Sequence, residues 1–503
     1  MLEKLQNGSD IRGISIESEE NPIVNLTNKE TYLLTIGFIK FLAKKTGKDI
    51  RNLIIAVGND SRISADSLKS GIFAGAEKLG VKIYDTGLSS TPAMFMATIF
   101  DEFSYDGTIM VTASHLPYDR NGMKFFTKEG GVEKEDITEI VSIANKEEFK
   151  EEDLTKGNPL FSQVKLMDVY SEFLAKKIRD GVNASHNPNK PLKGLKIVVD
   201  AGNGAGGFFV SKVIDKLGAD TRGSLYLQPD GMFPNHIPNP EDKDAINSIK
   251  QGVLNAKADF GIIFDTDVDR MAAVLGDGEV VNKDANIAMM AAILAKDNIY
   301  GTIVTDSVVS DRLTEFLEEN LHMKHHIFKR GYRNVINEAI RLNEEGIEAP
   351  LAIETSGHGA FKENYFLDDG AYMAVKLIIA AAKAKKNGKD LTSYIDKLKE
   401  GFEEREYRIK INCEDYKEYG KNVLEEFEKR AISSGYFVAK NAYEGVRISF
   451  KQADTMGWTL LRMSLHEPKM PLNIEGSRQG DCDRIFACVK KLLAGFDKLE
   501  FDN

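Results

Sequence analysis

The sequence predicts an α/β protein with three tandem, similar α/β domains, whose sheets are mixed and mostly parallel, followed by a smaller C-terminal α+β domain. Apolar runs at residues 53–57, 195–199 and Thr302–Thr305 each end in a small polar turn and lead into a helical pattern. Strands that alternate with helices predict α/β units with parallel strands. The runs begin about 140 and 107 residues apart, which is too long for a solenoid repeat and suits tandem domains. A chain of 503 residues has room for roughly three to five domains.

The C-terminal fifth of the chain carries a different pattern. Apolar and polar side chains alternate at 407–413 and 446–450, as expected of half-exposed strands, whereas the apolar residues of 416–427 follow a helical stripe. Asp481 begins a segment with the pattern of a closing helix. These features predict a small antiparallel sheet with helices on one face. We interpret the charged segment 397–406 as the linker before this domain.

Composition and charge exclude several classes of protein. The formal net charge is −11, from 66 Lys and Arg against 77 Asp and Glu, which disfavours partners such as nucleic acid or an anionic membrane. Apolar stretches at 287–295 and 377–382 are shorter than the roughly 20 residues of a membrane span, and we interpret them as buried helices. Three cysteines without CxxC spacing, and an N-terminus without an apolar signal segment, favour a reducing, cytoplasmic location.

Three carboxylates form the clearest candidate for a metal site. Asp265, Asp267 and Asp269 alternate in a loop that directly follows the apolar run 260–264, with Arg270 next to them. Carboxylates that leave a buried strand can converge on one hard cation, and ligation by oxygen alone favours Mg²⁺ or Ca²⁺ over zinc. The glycine and the final glutamate of an EF-hand loop are missing from this sequence. The alternative, from these residues alone, is a solvated acidic turn.

Three further polar loops follow apolar runs or lie between expected strands. The loop 111–117 places Ser114 beside His115, but the GxSxG of a nucleophile elbow is absent, so a Ser-capped turn is the alternative. The loop 354–359 offers a carboxylate, hydroxyl groups and an imidazole, which suit the hydroxyls of a sugar or an ordinary polar loop. The loop 462–469 combines Arg, Ser and Lys as in a phosphate clamp, or forms a charged hairpin loop.

Taken in this order, the four loops resemble those of the α-D-phosphohexomutase superfamily, the phosphoglucomutases and phosphomannomutases. The segment 112–117 resembles the phosphoserine loop, 265–270 the metal loop, 354–358 the sugar-recognition loop and 462–468 the phosphate-binding loop. Further matches are Asp10-Ile11-Arg12-Gly13, Asn121-Gly122-Met123-Lys124, residues 198–204, and Phe233-Pro234-Asn235-His236 with Pro238-Asn239-Pro240.

The resemblance implies both an arrangement and a reaction. Four domains, at 1–185, 186–297, 298–400 and 401–503, would each contribute one loop to a central cleft. The implied enzyme is an intramolecular phosphotransferase that interconverts the 1-phosphate and the 6-phosphate of glucose or mannose. The reaction would pass through a phosphoserine and a hexose 1,6-bisphosphate, which also serves as activator. The partner is a small phosphosugar, and a monomer or homodimer is expected.

The resemblance also implies roles for individual residues. Ser114 would carry the phosphoryl group and, together with Asp265, Asp267 and Asp269, would bind Mg²⁺. His358 and Lys124 are the candidates for proton transfer, and the ordinary pKa of a histidine, about 6.5, suits a general base better. The other catalytic candidates, around the transferring group, are Arg12, Arg270 and His115. The candidates for substrate binding are Glu354, Ser356, Arg462, Ser464 and His466.

The sequence departs from the family pattern at four positions. Leu116 stands where the serine loop usually has Asn, and Thr266 where the metal loop usually has Gly. Leu465 and His466 replace Gly and Thr in the phosphate-binding loop. Two alternatives therefore stay open, namely a phosphoglucosamine mutase and a non-catalytic phosphosugar-binding protein of the same fold. The intact Ser114, aspartates and Lys124 argue against the second.

Overall fold

The computed structural model of the chain describes residues 2–155, 161–185, 187–399, 401–439, 442–464 and 467–501. The chain forms two compact units. Unit one comprises Met1–Asn282, Ser356–Gly359 and Leu367–Thr392, and unit two comprises Lys283–Thr355, Ala360–Phe366 and Ser393–Asn503.

Unit one begins with a mixed sheet of eight described strands. Its central strands run parallel, as the alternation of strand and helix predicts, and the strands on one side run antiparallel. In this order, the strand with Arg12, the strand with Lys124 and the strand that leads to Ser114 lie next to one another. The order across the sheet is Gln6–Asn7, Asp10–Ile14, Arg120–Thr127, Gly107–Val111, Ile54–Asn59, Lys82–Leu88 and Phe161–Gln163, with Gly130–Gly131 paired to Arg120–Thr127.

Helices pack against this sheet and bury a continuous apolar core. The helix Asn28–Thr46 begins after Thr27, whose side chain forms a capping box with Glu30. The helix Thr91–Ile99 begins after Ser90, whose hydroxyl accepts a hydrogen bond from a backbone N–H of the first turn. The other helices of this part are Ala65–Lys78, Lys134–Ala144 and Leu166–Val182.

A second sheet of unit one carries the three aspartates. Its described strands lie in the order Val280–Val281, Met271–Leu275, Phe260–Phe264 and Ile197–Asp200. Ile197–Asp200 runs parallel to Phe260–Phe264, whereas the other pairs are antiparallel, so the sheet is mixed with an antiparallel majority. The loop 265–270 is the hairpin between Phe260–Phe264 and Met271–Leu275. The helices that accompany this sheet are Phe209–Ile214, Lys243–Ala256 and Gly370–Lys386.

Unit two contains a parallel group of strands in the order Lys324–Ile327, Thr302–Thr305 and Leu351–Ile353. The strand Thr302–Thr305 coincides with the predicted apolar run, and the loop 354–359 directly follows Leu351–Ile353. Helix Tyr332–Glu344 buries its apolar stripe against this group. Further elements of unit two in this stretch are Lys283–Lys296, Asp311–Glu315, Phe316–Asn320 and Lys362–Asn364, whereas the strand Leu367–Asp368 belongs to unit one.

The C-terminal part of unit two is an antiparallel sheet covered by helices Tyr416–Ser433 and Asp481–Leu492, which confirms the predicted α+β domain. The predicted linker 397–406 is wrong in part, because the strand Glu403–Ile411 already pairs with Lys469–Gly476 from Glu403 onward. Side chains at 403–406 are largely exposed, so their charges concealed the strand. The order of strands is Phe437–Val438, Val446–Lys451, Met456–Leu461, Lys469–Gly476, Glu403–Ile411 and Leu499–Glu500.

The two apolar stretches noted in the sequence lie inside folded helices. Residues 287–295 belong to Lys283–Lys296, and 377–382 belong to Gly370–Lys386, and both segments are largely buried. Within the described residues, no helix combines the length and the apolar character needed to cross a membrane.

Candidate active site

The aspartate loop, residues 265–270, is a tight and fully buried hairpin. Asp265 and Asp267 have no exposed surface, and Asp269 is 1% exposed. The turn includes Val268 at φ +67°, a left-handed conformation that costs free energy in a β-branched residue. The N–H of Arg270 donates to a carboxylate oxygen of Asp265 at 3.2 Å and so closes the hairpin.

The donor set of this loop fits a hard cation. Carboxylate oxygens of the three aspartates lie within 4.8 Å of one another. In the described part of the chain, Oδ1 of Asp267 and Oδ1 of Asp269 are buried without a hydrogen-bond partner, which is costly unless an ion or water satisfies them. Burial, Asp269 and Asp267 raise the pKa of Asp265 well above its ordinary value. A bound cation would relieve the electrostatic repulsion between these carboxylates.

The serine loop, residues 112–117, presents its hydroxyl to the aspartate loop. Ser114 lies at φ +50°, and its backbone N–H donates to Oγ1 of Thr112 at 2.9 Å. Oγ of Ser114 donates to Oδ2 of Asp265 at 3.0 Å and accepts from the Arg270 guanidinium at 3.2 Å. The serine hydroxyl therefore lies between a carboxylate of the candidate metal site and a cation.

Arg270 connects the serine loop to the aspartate loop. Its Nε donates to Asp265 at 3.1 Å, and its Nη2 lies 2.5 Å from Nδ1 of His115. Burial, together with the charge of Arg270, lowers the pKa of His115 to about 3. His115 is therefore neutral near pH 7, and its Nδ1 accepts the hydrogen bond from Arg270.

Lys124 and Arg12 bring two more cations to this side of the sheet. Nζ of Lys124 lies 2.7 Å from Oδ2 of Asp269 and 4.0 Å from Oδ2 of Asp267. Arg12 donates to the carbonyl oxygen of Thr112 at 2.5 Å and to Asp10 at 2.7 Å. A Cβ at Gly122 would lie 2.1 Å from a backbone oxygen and 2.7 Å from Nη1 of Arg12, so only glycine fits beside this guanidinium.

His358 is a further predicted residue of unit one that lies near the aspartate loop. Its Nδ1 lies 2.9 Å from Oγ of Ser356, and its Nε2 lies 3.7 Å from Asp269 and 3.6 Å from Asp368. Burial lowers the pKa of His358 well below its ordinary value, with Arg270 and Lys124 acting in the same direction and Asp269 opposing them. Conversely, burial would raise the pKa of Asp269, but Lys124, His358 and Arg270 hold it below its usual range.

Unit two brings other predicted residues together around one peptide segment. The N–H of Gly331 donates to Glu354 at 2.6 Å, and the N–H of Arg330 donates to Glu444 at 2.9 Å. Arg462 lies 3.7 Å from the carboxylate of Glu444. Glu354 and Arg462 are thus linked through residues 330–331 and Glu444. Oγ of Ser464 accepts from the N–H of Glu467 at 3.3 Å, and the predicted residues Leu465 and His466 lie outside the described residues.

Some residues of the site were missed by sequence reasoning. Thr91 donates through its hydroxyl to Oδ2 of Asp267 at 2.5 Å. Asn239, which was named above in a matching segment without being given a role, accepts from Arg270 at 3.2 Å. Asp60 and Arg62 form a buried ion pair beneath the serine loop. A signal existed for this pair, because Asp60 directly follows the strand Ile54–Asn59 and Arg62 stands two residues further, as the aspartate loop follows its own strand.

Comparisons with known proteins point to one family. Residues 3–151, 168–278 and 282–400 match domains I, II and III of phosphoglucomutase/phosphomannomutase, each described as an alpha/beta/alpha domain. A phosphomannomutase/phosphoglucomutase of Pseudomonas syringae pv. tomato is 30% identical over 448 residues, which cover 88% of each chain. A phosphoglucomutase of Neisseria gonorrhoeae is 27% identical over 477 residues, which cover 95% of this chain and 94% of that one.

A solved structure shows the same fold. The crystal structure of a phosphoglucomutase/phosphomannomutase family protein from Burkholderia thailandensis superposes with a TM-score of 0.79 and 24% identity, covering 99% of this chain and 98% of that one. This likeness concerns the fold, whereas the matched domains and the 30% identical relative establish the ancestry. The chain belongs to the phosphoglucomutase/phosphomannomutase family.

Proposed function

We propose that this protein is a phosphohexomutase that interconverts hexose 1-phosphate and hexose 6-phosphate, with glucose and mannose phosphates as substrates. The observation that carries the proposal is the position of Ser114. Its hydroxyl lies 3.0 Å from Asp265 and 3.2 Å from Arg270, beside carboxylate oxygens that have no hydrogen-bond partner in the described structure. A serine placed in this way suits a phosphoryl group that is held and then passed on.

The cofactor that we propose is Mg²⁺, held by Asp265, Asp267 and Asp269 together with a phosphoryl oxygen on Ser114. Oxygen donors and the two unpartnered atoms support a hard cation. When bound there, Mg²⁺ supplies Lewis acidity toward a phosphoryl oxygen.

The arginines of unit one would then stabilise the transferring group. Phosphoryl transfer concentrates negative charge on the equatorial oxygens and depends on positioning and electrostatic stabilisation. Arg270 contacts Oγ of Ser114 directly, and Arg12 contacts the backbone of the same loop at Thr112. We expect both guanidinium groups to act on the phosphoryl group while it moves between Ser114 and a sugar hydroxyl.

Transfer to the sugar requires that the accepting hydroxyl loses its proton. Burial lowers the pKa of His358, so its imidazole is neutral and can accept a proton on its unprotonated ring nitrogen, although it is a weaker base than an ordinary histidine. We therefore propose His358 as the proton acceptor. Lys124, 2.7 Å from Asp269, would act as an electrostatic partner and as a proton donor in the return step. His115, whose Nδ1 faces Arg270, would orient that guanidinium.

Substrate recognition is proposed for the residues singled out in the other two loops. Glu354 and Ser356 would bind hydroxyl groups of the sugar, because a carboxylate accepts hydrogen bonds from hexose hydroxyls and a serine hydroxyl can both donate to them and accept from them. Arg462, Ser464 and His466 would bind the phosphate group that does not react. Hexose 1,6-bisphosphate would serve as the activator that first phosphorylates Ser114.

The test compares glucose 1-phosphate, mannose 1-phosphate and glucosamine 1-phosphate as substrates, each with Mg²⁺ and its 1,6-bisphosphate. We expect turnover of the first two, a phosphate adduct of about 80 Da by intact-mass spectrometry, and loss of both in Ser114→Ala. Absence of turnover with every sugar would favour a phosphosugar-binding protein. Preference for glucosamine 1-phosphate would favour the phosphoglucosamine mutase.

A further inference from the structure

A second arginine, Arg62, supports the serine loop from beneath. Its side chain has no exposed surface, and its Nε donates to Asp60 at 3.2 Å. The Nη1 and Nη2 groups donate hydrogen bonds to backbone carbonyls of the serine loop and of the turn that follows it. These acceptors are the carbonyl oxygens of Ser114 at 2.5 Å, Leu116 at 2.6 Å, Pro117 at 2.7 Å and Arg120 at 2.9 Å.

The carboxylate partner of Arg62 reaches the same loop by a second route. Asp60 accepts from the Thr112 hydroxyl at 2.7 Å, and Oγ1 of Thr112 accepts from the N–H of Ser114 at 2.9 Å. The ion pair therefore holds both the N–H and the C=O of Ser114. Such support matters because Ser114 adopts φ +50°, a conformation that a serine keeps only when its surroundings enforce it.

The motif around Phe233 covers this ion pair. The ring of Phe233 lies 5.2 Å from the Arg62 guanidinium, a distance suited to a cation–π contact. A Cβ at Gly231 would lie 2.5 Å from the carbonyl oxygen of Ser61, so this loop approaches the Asp60–Arg62 turn as closely as backbone allows. The same segment supplies Asn239, which accepts from Arg270.

We propose that Arg62 is a positioning residue for the phosphoryl-accepting serine, and that the segment 231–239 holds both Arg62 and Arg270 in place. The inference rests on the proposed function, because it assigns Arg62 a role in the reaction at Ser114. A guanidinium can serve acceptors at several angles at once, whereas an ammonium is a point charge with three donors. Lysine at this position therefore keeps the positive charge but loses the planar set of donors that bind the carbonyl oxygens of the loop.

The experiment compares Arg62→Lys with Arg430→Lys. Arg430 is a matched control in the C-terminal sheet domain, since it donates to the carbonyl oxygens of Leu492 and Ala494 at 2.8 and 2.7 Å and lies 5.0 Å from the ring of Phe496. We expect Arg62→Lys to lower kcat on the order of 10²-fold, the cost of a misplaced reacting group, with KM within about threefold. Amide exchange of residues 112–120 should become at least about tenfold faster. Arg430→Lys should change neither kcat nor the amide exchange of residues 112–120.

The exchange measurement separates this proposal from the proposed function, because loop opening is read whether or not the protein turns over a hexose phosphate. Unchanged kcat and loop exchange in Arg62→Lys would overturn the positioning role, as would a raised KM at unchanged kcat. If Arg62→Lys does not fold, Phe233→Leu decides, with Phe496→Leu as its control. Phe233→Leu should lower kcat roughly tenfold, since it loosens but keeps the hydrogen bonds, and an unchanged kcat would again overturn the inference.

Discussion

Replacing Arg462 by alanine tests whether its guanidinium binds the non-reacting phosphate. Its side chain is 12% exposed, and Nη1 lies 3.7 Å from Glu444, beyond hydrogen-bond distance. Its Nε is buried and has no hydrogen-bond partner among the described residues. Burial lowers the pKa of Arg462, which Glu444 opposes. We expect this unused donor to bind the phosphate group of the substrate that does not react.

The expected magnitude follows from the contact that would be lost. A hydrogen bond to a charged group contributes about 1.5–3 kcal/mol, which corresponds to roughly 10- to 150-fold in affinity. Glu444 would still accept from Oγ of Ser307 at 2.7 Å and from the N–H of Arg330 at 2.9 Å. Because no buried carboxylate is left without a donor, Arg462→Ala should unfold at nearly the temperature of the wild type.

The assay is steady-state kinetics with a hexose 1-phosphate and saturating 1,6-bisphosphate activator. We expect Arg462→Ala to raise KM by the factor above with a smaller change in kcat, and Arg462→Lys to fall in between, because lysine keeps the charge without the fork. The control is Arg408→Ala in the same domain. The side chain of Arg408 is 62% exposed, and its Nε pairs with Glu406 at 3.2 Å. Equal KM values for Arg462→Ala and this control would refute the assignment of Arg462 to phosphate binding.

Three further predictions concern unit one. Removal of Mg²⁺ by a chelator should abolish turnover. Mg²⁺ at 100 times its dissociation constant should raise the free energy of unfolding of the wild type by about 2.7 kcal/mol, and that of Asp267→Asn by less. Equal thermal shifts in the wild type and in Asp267→Asn would contradict the metal site. Thr91→Val removes the hydroxyl that donates to Asp267 and should weaken Mg²⁺ binding about 10- to 100-fold by titration, and unchanged affinity would show that this hydroxyl is irrelevant to the metal. Burial lowers the pKa of His236, but Asp200 outweighs this effect, so the pKa is raised overall. The free energy of unfolding of the wild type should exceed that of His236→Gln by its full amount below about pH 6.5, and this excess should be lost as pH rises through the raised pKa. A difference between the two proteins that does not change with pH would count against a charged His236–Asp200 pair.

The elements that could be predicted from sequence are those whose pattern is local. Phe260–Phe264, Thr302–Thr305 and Leu351–Ile353 begin and end where their apolar runs do, because a strand buried on both faces needs apolar residues throughout. The strand Glu403–Ile411 was recognised only from Tyr407 onward, since its first residues are charged and exposed. Strand order, including the antiparallel majority around Phe260–Phe264, depends on contacts between distant segments that no local pattern encodes.

The candidate site likewise contains features that the sequence predicts and features that only the fold determines. Ser114 and the three aspartates stand in loops that follow buried strands, and Arg270 ends the aspartate loop, so their chemistry was visible in the sequence. The ionisation of His358 was not visible, because its lowered pKa comes from burial and from cations brought by other segments. An ordinary histidine pKa of about 6.5 therefore described the residue in isolation and not in the fold.

Arg62 shows why support for a nucleophile is harder to predict than the nucleophile. The serine loop contains no glycine, yet Ser114 must hold φ +50°, so the constraint has to come from outside the loop. It comes from an ion pair whose acceptors lie 52 to 58 residues along the chain and from an aromatic ring more distant still. A reacting group is recognised by its own chemistry, whereas the rigidity that makes it effective is a property of packed segments. In this chain, the buried Arg62 reveals that support through its Nη1 and Nη2 hydrogen bonds to the serine loop and the turn that follows it.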